Sequence, residues 1–180
     1  MEDVKAMERE AVHKQVLEAL DAACEIFASV AQAASDSYYA KAMAWAEASS
    51  GDTKNKFVPF VIMIRRKEAT SATGLGVEFL WAKRFPIKNE GRIRLVTSAI
   101  AKGRNNHYSR RSIGSGPAWF EELFPEYESR LTALRSLIKA NRQARQTLNK
   151  NHRANSYYSV NSLIQWRVQD AVASCCDWIC

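Results

Sequence analysis

The chain has 180 residues and a net charge of +7, with 26 Lys and Arg against 19 Asp and Glu. A hydrophobic share of 47 % with five Trp is enough to build a packed core and argues against global disorder. No apolar run approaches the roughly 20 residues of a membrane span, and the N-terminal MEDVKAMEREAVHK lacks the apolar stretch of a signal peptide, so the expectation is a cytosolic protein without a membrane partner. The charge is unevenly spread. Residues 57–116 hold twelve basic and three acidic residues, a local +9, whereas residues 1–56 stand at −4 and 117–180 at +2.

In chain order, residues 3–34 place Val4, Met7, Ala11, Val12, Val16, Leu20, Cys24, Phe27, Val30 and Ala31 at helical spacing, with Glu8, Lys14, Glu18 and Glu25 on other faces. A second helix is expected over about 36–48, started by Ser35 or Asp36 and ended by the turn formers Ser49-Ser50-Gly51-Asp52. This acidic arm reads as a packing scaffold suited to dimerisation. From Phe57 the period changes to two. Phe60, Ile62 and Ile64 alternate with Val61, Met63 and Arg65; Leu75, Val77, Phe79 and Trp81 alternate with Gly76, Glu78 and Leu80; Ile93 and Leu95 alternate with Arg92, Arg94 and Val96. Three short strands follow, with turns near Ser71–Gly74 and over Pro86–Gly91, in an antiparallel meander. Pro59 belongs at a strand start or an edge. In this register Phe60, Ile62, Ile64, Leu75, Val77, Phe79 and Trp81 share one face with Ile93 and Leu95, and Arg65, Arg84, Arg92 and Arg94 share the other; a slip of one residue would invert that assignment. Residues 101–116 read as a basic, polar loop. Pro117 opens a long helix with Trp119, Phe120, Leu123, Phe124, Tyr127, Leu131, Leu134 and Ile138 on its apolar stripe. Pro125 is expected to kink or restart it. Lys139, Arg142, Arg145, Lys150 and Arg153 form a basic stripe that could track a phosphate backbone but reads rather as the exposed side of this helix, and a last helical segment is expected from about Ser159 to Trp178.

The fold class is therefore α+β: a three-stranded antiparallel sheet packed on a long C-terminal helix, with an N-terminal helical scaffold. The expected divisions are 1–56 (helical), 57–150 (basic sheet plus helix) and 151–180 (C-terminal helical segment).

A basic, strand-rich element suits a polyanion, and nucleic acid is the commonest one in a cell. Guanidinium groups on a small sheet can fork onto phosphates or onto guanine in the major groove. The candidate DNA contacts are Arg65, Arg84, Arg92 and Arg94 on the strands and Lys102, Arg104, Arg110 and Arg111 in the following loop, the last four as phosphate contacts. The bland alternative is a solvated basic face. Asn105, Asn106, His107 and Tyr108 could add stacking and base reading, or form an ordinary polar loop.

Enzyme signatures are scarce. His13, His107 and His152 are far apart in sequence and none sits in an H-x-H or H-E-x-x-H pattern. Gly74-Leu75-Gly76 precedes a strand rather than a helix, so it is no dinucleotide fingerprint, and no phosphate-cradling loop is present. Glu121, Glu122, Glu126 and Glu128 crowd the start of the long helix, where capping and solvation explain them better than metal binding. Cys24 is isolated, and Cys175, Cys176 and Cys180 cluster without a nearby His, so neither a disulfide framework nor a zinc motif is indicated. No cofactor, metal or catalytic residue is assigned.

The segments GLGVEFLWAKRF (74–85), GRIRLVTSAIAKGRNNHYSRRSI (91–113) and PAWFEELFPEYESRLTALRSLIKA (117–140) resemble the MobI family of auxiliary mobilisation proteins of conjugative plasmids and integrative elements. The marker residues are Trp81, Ile100-Ala101-Lys102-Gly103, Tyr108, Trp119 and Leu134-Arg135; Phe120 interrupts the family's Trp-Glu pair. The resemblance implies a protein that recognises an origin of transfer on double-stranded DNA and assists a relaxase, which does the nicking. A homodimer would suit an inverted-repeat site. Three other readings stay open: a transcriptional regulator or recombination accessory protein with a three-stranded sheet as reader, a small basic nuclease using His107, Arg110 and Arg111, and a protein-interaction module whose charge is incidental.

Overall fold

Alanine, the strongest helix former, is the commonest residue between Glu2 and Ser49, and in the computed structural model this stretch is one α-helix, α1 (Glu2–Ser49). The break expected at Ser35 and Asp36 is absent because neither side chain caps a helix. Ser35 Oγ donates to the Ile62 carbonyl at 3.2 Å, and Asp36 Oδ1 accepts from Gln32 Nε2, one turn back, at 2.8 Å. The described residues are 2–49, 57–70, 74–89, 92–103 and 105–153; the segment expected to be helical from Ser159 to Trp178, and Cys175, Cys176 and Cys180, lie outside them.

The strands are β1 (Phe60–Thr70), β2 (Gly74–Asn89) and β3 (Arg92–Ala99), followed by the short α2 (Arg110–Ile113) and the long α3 (Ala118–Arg153). The sheet is three-stranded in the order β1-β2-β3. β2 and β3 are antiparallel, pairing Ala82 with Ala99 through Asn89 with Arg92. β1 and β2 also run oppositely: Arg65 lies beside Glu78, while the earlier Phe60 lies beside the later Lys83. The α+β class, the meander and both flanking helices stand as expected. Pro59 lies one residue before β1, and its carbonyl accepts from Arg84 N at 2.7 Å. The turn expected over Pro86–Gly91 is corrected at its start: β2 continues through Pro86 to Asn89, and Glu90 and Gly91 lie outside the described residues.

The chain forms two compact units, one from Met1–Val30, Arg66–Val77 and Leu137–Cys180, the other from Ala31–Arg65 and Glu78–Ser136. In the first, Leu20, Ala23, Cys24, Phe27, Val77, Ile138 and Leu148 are buried. Cys24 is a free thiol whose pKa burial pushes up. Arg145 is buried here too, ion-paired with Asp21 and donating to the Leu17 carbonyl at 3.0 Å. It therefore drops out of the exposed basic stripe read on α3. Gly74 sits at φ +62°, and a Cβ there would run into the Arg145 guanidinium, so both backbone conformation and space call for glycine.

In the second unit, aromatic rings form the core. Phe60 stacks on Phe120 with centroids 4.3 Å apart, and Trp81 meets Tyr38, Phe120 and Phe124 at 5.1, 5.6 and 5.4 Å. This is how the sheet sits on α3. That helix passes through Pro125 without restarting. An interior proline costs about 3 kcal/mol, and burying Leu123, Phe124 and Tyr127 around it offsets this at roughly 1.5–3 kcal/mol per large side chain.

Candidate nucleic-acid interface

Past Trp81 the sheet loses its cover. Lys83, Phe85, Pro86, Ile87 and Lys88 are exposed on β2, and every β3 residue except the half-buried Val96 is exposed. The two strands make a ribbon open on both faces among the described residues. Seven residues of β2, at about 3.3 Å each, give it a reach of about 23 Å. Residues 83–99 contain five basic residues and one acid, a net +4.

Paired residues share a face, so the register fixes the side of each. Lys83, Phe85 and Ile87 lie opposite Ser98, Val96 and Arg94, with Arg92 beside them opposite Asn89. Arg84, Pro86 and Lys88 lie on the other side with Thr97, Leu95 and Ile93. The expected sharing of one face by Arg84, Arg92 and Arg94 is thus corrected, as is the placement of Ile93 and Leu95 on the core face. Ile93 is 75 % exposed and Leu95 44 %. The physical reason is that neither side of β3 is buried, so no hydrophobic selection ties its alternation to that of the core.

The ribbon is rigidly rooted. Ile100 N donates to the Trp81 carbonyl at 2.8 Å, and Tyr108 Oη donates to the Ile100 carbonyl at 3.0 Å. Glu128 holds the whole base: Oε2 accepts from Trp81 Nε1 at 2.7 Å, and Oε1 accepts from Tyr108 N at 2.6 Å. Arg135 meets both carboxylate oxygens at 2.8 and 3.1 Å, and also donates to the carbonyls of Phe79 and Asn106 at 3.0 Å each. Its guanidinium lies 4.9 Å from the Tyr108 ring. Glu128 and Arg135 are only 6 % and 7 % exposed, so this is a buried, fully hydrogen-bonded ion pair. The Tyr108 hydroxyl pKa is raised, chiefly by burial.

The remaining candidates are scattered. Arg65 is exposed and lies 3.8 Å from Glu78. The Arg84 guanidinium stands 6.0 Å from the Tyr39 ring, and its buried Nε has no hydrogen-bond partner among the described residues. Arg92 and Arg94 are exposed and make no ion pair among the described residues. Lys102 is half-buried, with its ammonium on the Asn105 carbonyl. Arg104 lies outside the described residues. Arg111 is exposed on α2, where Ser109 is the N-cap.

Arg110 forks onto both oxygens of Glu121 and onto the Gly114 carbonyl. That contact raises the Arg110 pKa and holds the Glu121 carboxyl below its ordinary range. His107 and Arg110 do line one open cleft of about 420 Å³, but the guanidinium there is already engaged by Glu121.

Sequence reasoning missed two features. Glu128, grouped with the exposed carboxylates at the start of α3, is the buried centre of the network. Its signal was its place on the same helix stripe as Leu131 and Arg135. Second, His13 and His152 come together, ring centroids 4.0 Å apart; the helical pairs Glu10-x-x-His13 and Asn149-x-x-His152 were the clue.

The marker residues Trp81, Ile100, Tyr108 and Arg135 thus converge on one structure, the root of a basic ribbon. The MobI protein family model matches residues 27–149, two thirds of the chain. This match indicates a mobilisation-related protein. The chain belongs to the MobI family. No curated protein and no solved structure matches it. Among the described residues no helix is long and apolar enough to cross a membrane.

Proposed function

We propose that the chain binds double-stranded DNA at an origin of transfer through the β2–β3 ribbon and assists a relaxase in starting conjugative transfer. The observation that carries this reading is the ribbon: two antiparallel strands, net +4, open on both faces, with Arg92 and Arg94 not engaged by any described carboxylate. A two-stranded ribbon fits a major groove about 12 Å wide. Arg92, Arg94 and Lys83 on one side would reach base edges or one phosphate strand, and Arg84 and Lys88 on the other would reach the opposite strand. Exposed Ile93 and Leu95 suit thymine methyl groups. Arg111 and Lys102, with Arg65 and Arg104 as outlying members, would contact phosphates. Arg110 instead serves the fold through Glu121. Family membership supports the mobilisation context and therefore the choice of origin DNA.

The test is fluorescence anisotropy with an origin-region duplex and a scrambled duplex of equal length. The reading expects the origin duplex to bind at least about 1,000-fold more tightly, the low end for specific over non-specific binding. Equal, salt-labile affinity for both would leave only non-specific electrostatics and overturn origin recognition.

A further inference from the structure

Away from the ribbon, three metal-ligating side chains meet where the beginning of α1 lies against the end of α3. The helices run antiparallel in this unit: Leu20 faces Asn141 through a 2.9 Å hydrogen bond, and His13 faces Asn149. Glu10 and His13 are separated by one helical turn on α1, and Asn149 and His152 by one turn on α3. The ligand atoms of Glu10, His13 and His152 all lie within 4.8 Å of one another. His152 Nε2 is 2.9 Å from Glu10 Oε2, and the two imidazole centroids are 4.0 Å apart with the rings tilted by 31°. His13 Nε2 donates to Asn149 Oδ1 at 3.3 Å.

We propose that Glu10, His13 and His152 form a zinc(II) site that clamps these two helix ends. The donor set is chemically apt: two neutral imidazoles and one carboxylate leave a fourth position for water, a recurrent arrangement for zinc. The geometry is near closure. Zinc–ligand bonds of about 2.0–2.2 Å in a tetrahedron need ligand atoms roughly 3.3 Å apart, and the His152–Glu10 edge of 2.9 Å is within a few tenths of that. The remaining ligand atom lies within 4.8 Å of the other two, and Glu10 is exposed, so its carboxylate has room to turn toward the ion. Asn149 does for His13 what an outer-shell partner does in metal sites: by accepting a hydrogen bond from Nε2–H it favours the tautomer whose lone pair is on Nδ1, facing the ion. The clamp is independent of the DNA-binding reading.

The experiment uses the full chain, stripped with chelator, and zinc chloride as the probe. Because Cys175, Cys176 and Cys180 could bind zinc by themselves, the background carries Cys175→Ser, Cys176→Ser and Cys180→Ser. The expected result is one zinc per chain by equilibrium dialysis, with intense visible absorption from four-coordinate cobalt when Co(II) replaces it. His13→Ala and His152→Ala each weaken binding by about 100-fold or more, and Asn149→Ala by about 10-fold. Circular dichroism checks that the variants remain folded. Failure of the Cys→Ser background to bind zinc at all overturns the site, whatever the histidine variants do. So does stoichiometric binding that the His13→Ala/His152→Ala double variant leaves unchanged.

Discussion

Glu128 is the residue on which most of the second unit's polar order depends. It satisfies Trp81, Tyr108, Thr132 and Arg135 at once, at 2.6–3.1 Å. Removing one member of a buried ion pair leaves the other charge uncompensated, so Glu128→Ala is expected to cost about 3–5 kcal/mol. Urea denaturation measures it; a loss below about 1 kcal/mol would mean that the pair is solvated rather than buried. Arg110 and Glu121 make the contrasting case. Glu121 is exposed, so their bidentate contact orders the loop ahead of α3 and adds little to global stability. At this scale the sequence was partly legible. Trp81, Tyr108 and Arg135 stood out as family markers, but one helix carried four carboxylates close together, and composition cannot say which of them turns inward.

At the scale of elements, period-two alternation located the strands, and it gave the right face wherever that face is buried: Phe60, Ile62, Val77, Phe79 and Trp81 are all in the core. It failed at β3, where nothing is buried and alternation has no core to refer to. The helical break at Ser35 failed for a different reason. Ser and Asp are good caps, but a long-range acceptor, the Ile62 carbonyl, and an i, i+4 partner took their hydrogen bonds. The ribbon's apolar residues follow as a prediction. Ile93→Ser and Leu95→Ser are expected to change stability by no more than about 0.5 kcal/mol, as exposed sites do, and yet to weaken DNA binding. Phe60→Ala, in the aromatic core, is expected to cost about 3–5 kcal/mol. Thermal melts of the three variants check this; a large loss from Ile93→Ser would show that the ribbon is covered.

For the molecule as a whole, the local +9 of residues 57–116 was visible from the sequence, but its distribution was not. The structure divides these cations between two roles. Arg110 is spent on a carboxylate within the fold, and Arg65 stands close to one. Arg92 and Arg94, with Lys83 and Lys88, are exposed on the ribbon, whereas Arg84 at its root lies against Tyr39 with its Nε buried. The idea of one convergent arginine face gives way to a two-sided arm, which in the proposed reading would enter a groove rather than lie on a duplex. The decisive measurement is the salt dependence of duplex binding for the native chain and for Arg92→Gln/Arg94→Gln. Each lost phosphate contact removes about 0.9 from the slope of log K against log salt. If both arginines contact phosphates, the slope falls by about 2 and affinity drops at least about 10-fold; an unchanged slope together with unchanged affinity would contradict the ribbon as the DNA-binding element.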